Sequence, residues 1–539
     1  MNWSIFIAFT LASFGILLTK AEFYSSVHKM SLVMDFELKM LQNMQKFLGK
    51  NQNKLNYLKE RLSEYERERG EALTQGPVYF ENPVNKYLLT KRLTTDWERL
   101  ENVLQYKEGE KILKRIENTI VEKSELDGAL EGVLRLHDVY RLNASDIARG
   151  LLQGVQYDVQ FKARHCFDLG MKALEIHYPK LAYGWFMEAL RRSPNDETIN
   201  KLDIELALAD TKFHMGDIKG ANQTFAELVT LNADNEKVAK LYAQFVENSA
   251  GKPEYFADYS TEHFPPPADI LTAERPDLFK YTCSGLVKKS PREERDLRCG
   301  YLTETHPFLL LAPIKVEELN HDPLLVTFYD VLSDKEIETL RKLTRSIERA
   351  TVMSNNGSVV SKVRTSQFQF IPVTAHPILA KIDQRVEDMT NLNMKHSEEH
   401  QFANYGIGGH YSEHHDYFDI PEKIWRYNEM GNRIATLLFY LSDVEQGGGT
   451  AYPYMKQMVL PQKGAAAFWY NLYASGKLDQ RSLHGACPII VGSKWVQNRW
   501  IREWDQSDRR PCYTFDDAIA TESMMEVLNK QNQNLAMEK

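Results

Sequence analysis

Near the start of the chain apolar residues recur at heptad spacing. Met34, Leu41, Leu48, Leu55 and Leu62 lie seven apart, and the companion positions Glu37, Met44, Asn51, Leu58 and Tyr65 are only partly apolar. That stripe predicts a long helix of coiled-coil type over residues 30–70. Gly76-Pro77 breaks it. A second helical stretch over residues 84–135 carries Trp97, Leu100, Leu104, Ile112, Leu113, Ile116 and Ile120. Two long helices around a break predict an antiparallel hairpin, serving either self-association or an intramolecular bundle.

The texture changes over residues 160–250. The positions Leu208, Ala209, Phe213, Gly216, Ala221, Phe225 and Leu228 fit tetratricopeptide spacing, and Leu169, Gly170, Ala182, Trp185, Phe186 and Ala189 make a looser copy. Stacked helix pairs of this kind offer a concave face for extended peptides; the alternative is a plain helical spacer. Residues 251–320 read as a boundary, with Lys252-Pro253 and Phe264-Pro265-Pro266-Pro267. After Asp322, short apolar runs at Leu324–Tyr329, Ala435–Leu441, Ala465–Tyr470 and Trp495–Trp500 read as strands between Gly- and Pro-rich turns. Helical patterns at Asp334–Ile347 and Ile378–Thr390 interrupt them. Many short strands over some 200 residues predict a double-sheet jelly roll with flanking helices.

Composition narrows the class. Hydrophobic residues make up 43% and charged residues 26% of 539, ordinary for a globular protein. A net charge of −8 gives no general basic surface for nucleic acid. The apolar run Ile5–Leu18, followed by Thr19-Lys20-Ala21, has signal-peptide length although no Lys or Arg precedes it. No later run reaches the length of a membrane span. Secretory entry permits disulfides. Of Cys166, Cys283, Cys299, Cys487 and Cys512, four form sequence-local pairs, so Cys283–Cys299 and Cys487–Cys512 are expected, although spacing does not fix connectivity. Glycosylation sequons stand at Asn143, Asn222 and Asn356, and the chain ends Leu-Ala-Met-Glu-Lys539 without a KDEL-type signal.

The candidate chemistry lies in the C-terminal third. His414-His415-Asp416 follows Gly406-Ile-Gly-Gly409, His484 comes 68 residues later, and Lys494 ten beyond that. Two imidazoles and one carboxylate on one face make the facial triad of non-haem Fe(II) oxygenases, with coordination positions left for a 2-oxo acid and dioxygen. His414 and Asp416, at i and i+2 of an extended segment, share a face. Lys494 is the cation suited to the distal carboxylate of a 2-oxo acid. His410 and His415 flank the triad and are expected to be ordinary polar residues.

The motifs Asn404-Tyr405-Gly406, Gly409-His-Tyr-Ser-Glu-His414-His-Asp416, Gly431-Asn-Arg-Ile-Ala-Thr436, Gly447-Gly-Gly-Thr450, Phe468-Trp-Tyr-Asn-Leu472, His484-Gly-Ala-Cys-Pro488 and Val491-Gly-Ser-Lys-Trp495 resemble the alpha subunit of animal collagen prolyl 4-hydroxylase over essentially the whole chain. The resemblance implies iron ligation by His414, Asp416 and His484, with Lys494 and Tyr405 at the 2-oxoglutarate pocket. It implies Fe(II), 2-oxoglutarate, dioxygen and L-ascorbate as cofactors and cosubstrates. It also implies hydroxylation of X-Pro-Gly triplets of collagen-like chains in the endoplasmic reticulum lumen. Its partners would be protein disulfide isomerase, which carries the retention signal, and a second alpha subunit in an α2β2 tetramer. The expected architecture is multidomain α + β. It comprises a signal peptide (1–21), a helical dimerisation region (22–140) and a tetratricopeptide-like peptide-binding domain (141–250). A linker with a disulfide (251–320), a double-stranded β-helix dioxygenase domain (321–515) and a tail (516–539) follow.

Two departures stand out. Gln367-Phe-Gln-Phe-Ile371 replaces the family's Lys-Ser-Ala-Trp-Leu in the active-site wall, and the family's peptide-binding tyrosines align with Leu174, Ala207, Asp210 and Phe213, of which only Phe213 keeps an aromatic face. Two alternatives follow: the same chemistry on a different proline-containing secreted protein, or a non-catalytic scaffold. The intact ligand set argues against the scaffold.

Overall fold

In the computed structural model the described residues are 27–48, 55–104, 123–255, 257–344, 348–349, 351–354, 357–360, 364–419, 430–510 and 512. The expected signal peptide, the tail beyond 512, Asn356 and residues 105–122 of the second helical stretch lie outside them.

Met34, Leu41 and Leu62 of the heptad stripe pack within the chain. Helices α1 (Val27–Leu48) and α2 (Leu55–Gln75) pack together, joined by α3 (Pro83–Lys91) and α4 (Trp97–Leu104). Met34, Leu41 and Met44 share one core with Leu58, Leu62, Tyr65, Trp97 and Leu100. Glu37, which breaks the companion seam, is fully buried and ion-paired with Arg92, which also meets Glu68. That arrangement follows from the cost of burying a lone charge. Helix α5 (Lys123–Val139) then enters a different core.

Five consecutive helices follow: α6 (Ala163–Glu175), α7 (Pro179–Arg192), α8 (Lys201–His214), α9 (Ile218–Leu231) and α10 (Glu236–Ser249). Small residues set their approach. A Cβ on Gly170 would fall 2.5 Å from the Phe186 ring, and Ala209 and Ala221 are fully buried where α8 meets α9.

The expected linker is not a linker. Helix α11 (Arg275–Cys283) packs on the smaller sheet of the C-terminal region, and β1 (Cys299–Leu302) and β2 (Ile314–Asn320) join the larger one. The β-rich unit therefore begins well before residue 321. Along the chain come β3 (Leu325–Tyr329), α12 (Asp334–Leu343), β4 (Glu348–Arg349), β5 (Gln367–Ile371), α13 (Pro377–Thr390), β6 (His400–Tyr405), β7 (Tyr411–His414) and β8 (Arg433–Tyr440). They are followed by β9 (Thr450–Tyr452), β10 (Gln457–Val459), β11 (Ala466–Tyr470), β12 (His484–Ala486) and β13 (Lys494–Arg502). The larger sheet has nine strands in the order β1-β2-β3-β11-β8-β13-β6-β5-β4, and the smaller has the order β7-β12-β9-β10. Side-chain alternation divides the interior. Leu437 and Phe439 face α12 and α13, whereas Leu438 and Tyr440 face the smaller sheet.

The helical and β-rich parts share one core. Val84 and Tyr87 of α3, Leu130 and Val133 of α5 and Trp185 of α7 cluster with Ile407, Ala451, Ile490 and Val491. The disulfide crosses this region and corrects the expected pairing: Cys283 is bonded to Cys487, 204 residues away. Cys299 and Cys512 are free and exposed, and Cys166 is free and buried. Tertiary placement is the reason. Helix α11 lies against β12, where Gly485 leaves room for the Phe279 ring, so its last residue reaches Cys487. Cys299 instead rides on β1 at the outer edge of the large sheet.

Candidate active site

His414 ends β7, His484 begins β12, and the two are direct cross-strand partners. A register irregularity between Tyr411 and His414 re-aims the end of β7. The ring centroids stand 4.5 Å apart. Asp416 follows in the bend beyond the strand. Its Oδ1 lies 3.7 Å from His414 Nε2 and its Oδ2 3.6 Å from His484 Nε2, and one ligand atom from each residue falls within 4.8 Å of the others.

The backbone sets both tautomers. His414 Nδ1–H donates to the Ser412 carbonyl at 2.8 Å and His484 Nδ1–H to the Ser482 carbonyl at 2.9 Å. The proton therefore sits on Nδ1, and each Nε2 lone pair points at the shared centre. Burial, then the neighbouring His484, lowers the His414 pKa to about 3. For Asp416 burial acts upward, but His484, His414, Arg433 and the Thr436 hydroxyl outweigh it and bring the pKa to about 2. Thr436 Oγ1 donates to Asp416 Oδ2 at 2.7 Å and itself accepts from Asn471 Nδ2 at 2.9 Å. Arg433 donates to the Asp416 carbonyl at 3.2 Å and is ion-paired with Glu398. The sequence reading left Thr436, Asn471 and Arg433 without roles; the signal was their place in the Gly431–Thr436 and Phe468–Leu472 motifs. Two imidazoles with committed Nδ1 protons and one ionised carboxylate fit a divalent iron, and among the described residues no other such cluster occurs.

Lys494 opens β13 opposite Tyr405 of β6. It is 1% exposed, and its ammonium reaches Thr450 Oγ1 at 3.4 Å, with Tyr440 hydroxyl 2.9 Å from that same oxygen. The Tyr405 and Tyr440 rings stand 5.8 Å from Nζ. Burial pulls the Lys494 pKa down to about 7. No ion pair to Lys494 appears among the described residues, which fits a site for an external carboxylate. Lys494, Tyr405, Thr450, Trp469 and the three triad residues line one small cavity.

The flanking histidines point elsewhere. His415 meets the Gln480 carbonyl at 3.0 Å and stacks on Tyr417. His410 is buried beside Ser412 and lines a separate cleft under α5 and α11. Gln367 to Ile371 form β5, paired with β6. In the helical domain Leu174, Ala207, Asp210 and Phe213 line one groove between α6, α8 and α10, together with Phe167, Met171 and Phe245. Asn143 and Asn222 are exposed.

Residues 26–154 match the family described as prolyl 4-hydroxylase alpha-subunit, N-terminal region, and residues 400–502 match the 2OG-Fe(II) oxygenase superfamily. The chain is 32% identical to prolyl 4-hydroxylase subunit alpha-2 of Gallus gallus, over 95% of this chain and 98% of that protein. It is 33% identical to prolyl 4-hydroxylase subunit alpha-2 of Caenorhabditis elegans, over 92% of this chain and 94% of the relative. Among solved structures, a viral collagen prolyl hydroxylase from Paramecium bursaria Chlorella virus-1 is similar at 26% identity. It covers 33% of this chain and 95% of its own, with a TM-score of 0.28.

Proposed function

The chain belongs to the prolyl 4-hydroxylase alpha-subunit family, and from that premise we propose that it hydroxylates proline in X-Pro-Gly sequences of collagen-like chains, with His414, Asp416 and His484 holding iron and Lys494 holding 2-oxoglutarate. When bound, Fe(II) with 2-oxoglutarate and dioxygen supplies the oxidation that places a hydroxyl on the proline ring, with release of succinate and CO2. The protein's part is preorganisation. The Ser412 and Ser482 carbonyls keep both imidazoles in the ligating tautomer. Thr436 holds one Asp416 oxygen, fixing the rotation of the carboxylate. Lys494 and Thr450 supply charge-assisted donors to the far carboxylate of the cosubstrate. Tyr405 and Trp469 form part of the cavity wall.

The observation that carries this reading is the convergence of the three ligand atoms within 4.8 Å, beside a buried lysine in the same cavity. Decarboxylation of 2-oxoglutarate, followed with and without a panel of proline peptides, tests it. Turnover stimulated by X-Pro-Gly peptides and abolished in His414→Ala, Asp416→Ala and His484→Ala is the expected result; first-ligand loss should cost at least the 10–100-fold typical of outer partners. Activity in His414→Ala but not in His415→Ala would overturn the ligand assignment. Stimulation only by other proline-containing proteins would favour a different substrate, a reading motivated by the replaced groove tyrosines.

The remaining assignments rest on family membership. They are L-ascorbate as reductant, protein disulfide isomerase and a second alpha subunit as partners, and residence in the endoplasmic reticulum. Glycosylation at Asn143 and Asn222 is supported by their exposure.

A further inference from the structure

The turn that delivers Lys494 is gripped from outside the catalytic sheets. Gly492 N–H donates to the Glu81 carbonyl at 2.7 Å. Its own carbonyl accepts from Lys86 Nζ at 3.4 Å, across 406 positions of sequence. Val491 packs in one core with Val84 and Tyr87, which flank Lys86 on α3. Gly492 has φ +106°, and a Cβ there would lie 3.1 Å from the Glu445 amide; only glycine enters this conformation without strain. On the inner side Asn404 holds Ser493 Oγ at 2.9 Å and the Lys494 carbonyl at 3.2 Å, and Ser442 holds the Ser493 carbonyl at 2.7 Å. Both backbone polar groups of Gly492 are thus taken by the N-terminal region, two residues before Lys494.

Lys86 is a costly choice for this place. It is 1% exposed, and burial, eased only by Glu81, pulls its pKa down to about 7. A methionine would fill the volume without desolvating a charge. Its polar partner among the described residues is the Gly492 carbonyl. The amine is therefore placed to hold the turn rather than to stabilise the helix.

We propose that Lys86 is a positioning residue for the cosubstrate pocket: by holding the Gly492 carbonyl it fixes the turn that launches Lys494, and it makes the N-terminal helical region a determinant of 2-oxoglutarate affinity. The inference rests on the reading that Lys494 binds 2-oxoglutarate.

The test is Lys86→Met in the full chain, assembled as the wild type is. Equilibrium binding of 2-oxoglutarate to the Mn(II)-loaded protein is measured alongside Mn(II) affinity and Tm. The dissociation constant for 2-oxoglutarate should rise about three- to tenfold, the scale of one lost hydrogen bond. Mn(II) affinity should be unchanged and Tm equal or higher, because a desolvated charge has gone. That opposition of affinity and stability is what a merely structural lysine would not produce. Unchanged 2-oxoglutarate binding in Lys86→Met, with binding lost in Lys494→Ala, overturns the inference and leaves the reading of Lys494 intact. Normal binding in Lys494→Ala overturns that reading and the inference with it. A joint fall in Tm and in both affinities shows general damage and also overturns it.

Discussion

At the scale of single residues, the role proposed for Lys494 would link cosubstrate binding to pH. Burial holds its pKa at about 7 in the free protein, and a carboxylate partner favours the charged form. Above pH 7 a proton must be taken up on binding, so 2-oxoglutarate affinity should fall by up to about tenfold per pH unit. Calorimetric titration between pH 6 and 8.5 checks this, and Lys494→Arg, charged throughout, should show a flat profile. The stability sign is opposite. Between pH 7 and the lysine range near 10.4 the unfolded chain binds the extra proton, so ligand-free stability from this group rises with pH. Lys494→Met should accordingly stabilise the ligand-free protein by a few kcal/mol at pH 7, read as a higher Tm, while losing 2-oxoglutarate. The gathering of His414, Asp416 and His484 beside Lys494 was legible because the proposed chemistry dictates residue types and the glycines around them mark tight turns. Lys86 was not legible: on the sequence it is one more charge in a helical pattern, and only the docking of α3 buries it.

At the scale of elements, four strands and two helices after residue 322 were read to within four residues of their ends, whereas shorter strands such as β6, β9 and β10 were not read as elements. Apolar runs between Gly- and Pro-rich turns leave little freedom: Leu325–Tyr329, Ala466–Tyr470 and Pro377–Thr390 stand almost where the pattern put them. β1 and β2 were missed because Ile314–Asn320 is interrupted by Lys315, Glu317 and Glu318 and shows no long apolar run. The groove between α6, α8 and α10 offers Phe213 and Phe245 as aromatic faces, with Leu174, Ala207 and Asp210 beside them. Each missing aromatic platform removes about 0.5–1.5 kcal/mol beyond burial. Long proline-rich peptides should therefore gain little over short ones. The apparent KM against repeat number for (Pro-Pro-Gly)n measures this, and a steep fall with n would show that other residues supply the grip.

At the scale of the whole molecule, the helical and catalytic parts cannot be separated at the boundary the sequence suggested. Ile407, Ile490 and Val491 share one core with residues of α3, α5 and α7. A fragment of residues 321–515 would expose that face and leave β3 without β2. It should be insoluble or lack a cooperative thermal transition, and circular dichroism on such a fragment decides the point. The disulfide was illegible for the same reason: connectivity depends on which elements meet, and the meeting of α11 with β12 is a property of the assembled molecule. In the chain-entropy treatment a ring of this size contributes about 5 kcal/mol. The Cys283–Cys487 bond also closes most of the dioxygenase region into a covalent loop. A protease that nicks this loop once, anywhere between the two cysteines, releases no fragment. On a non-reducing gel the cut protein keeps its full mass, and two bands separate only after a thiol is added, so electrophoresis run both ways reads the fold's wiring directly.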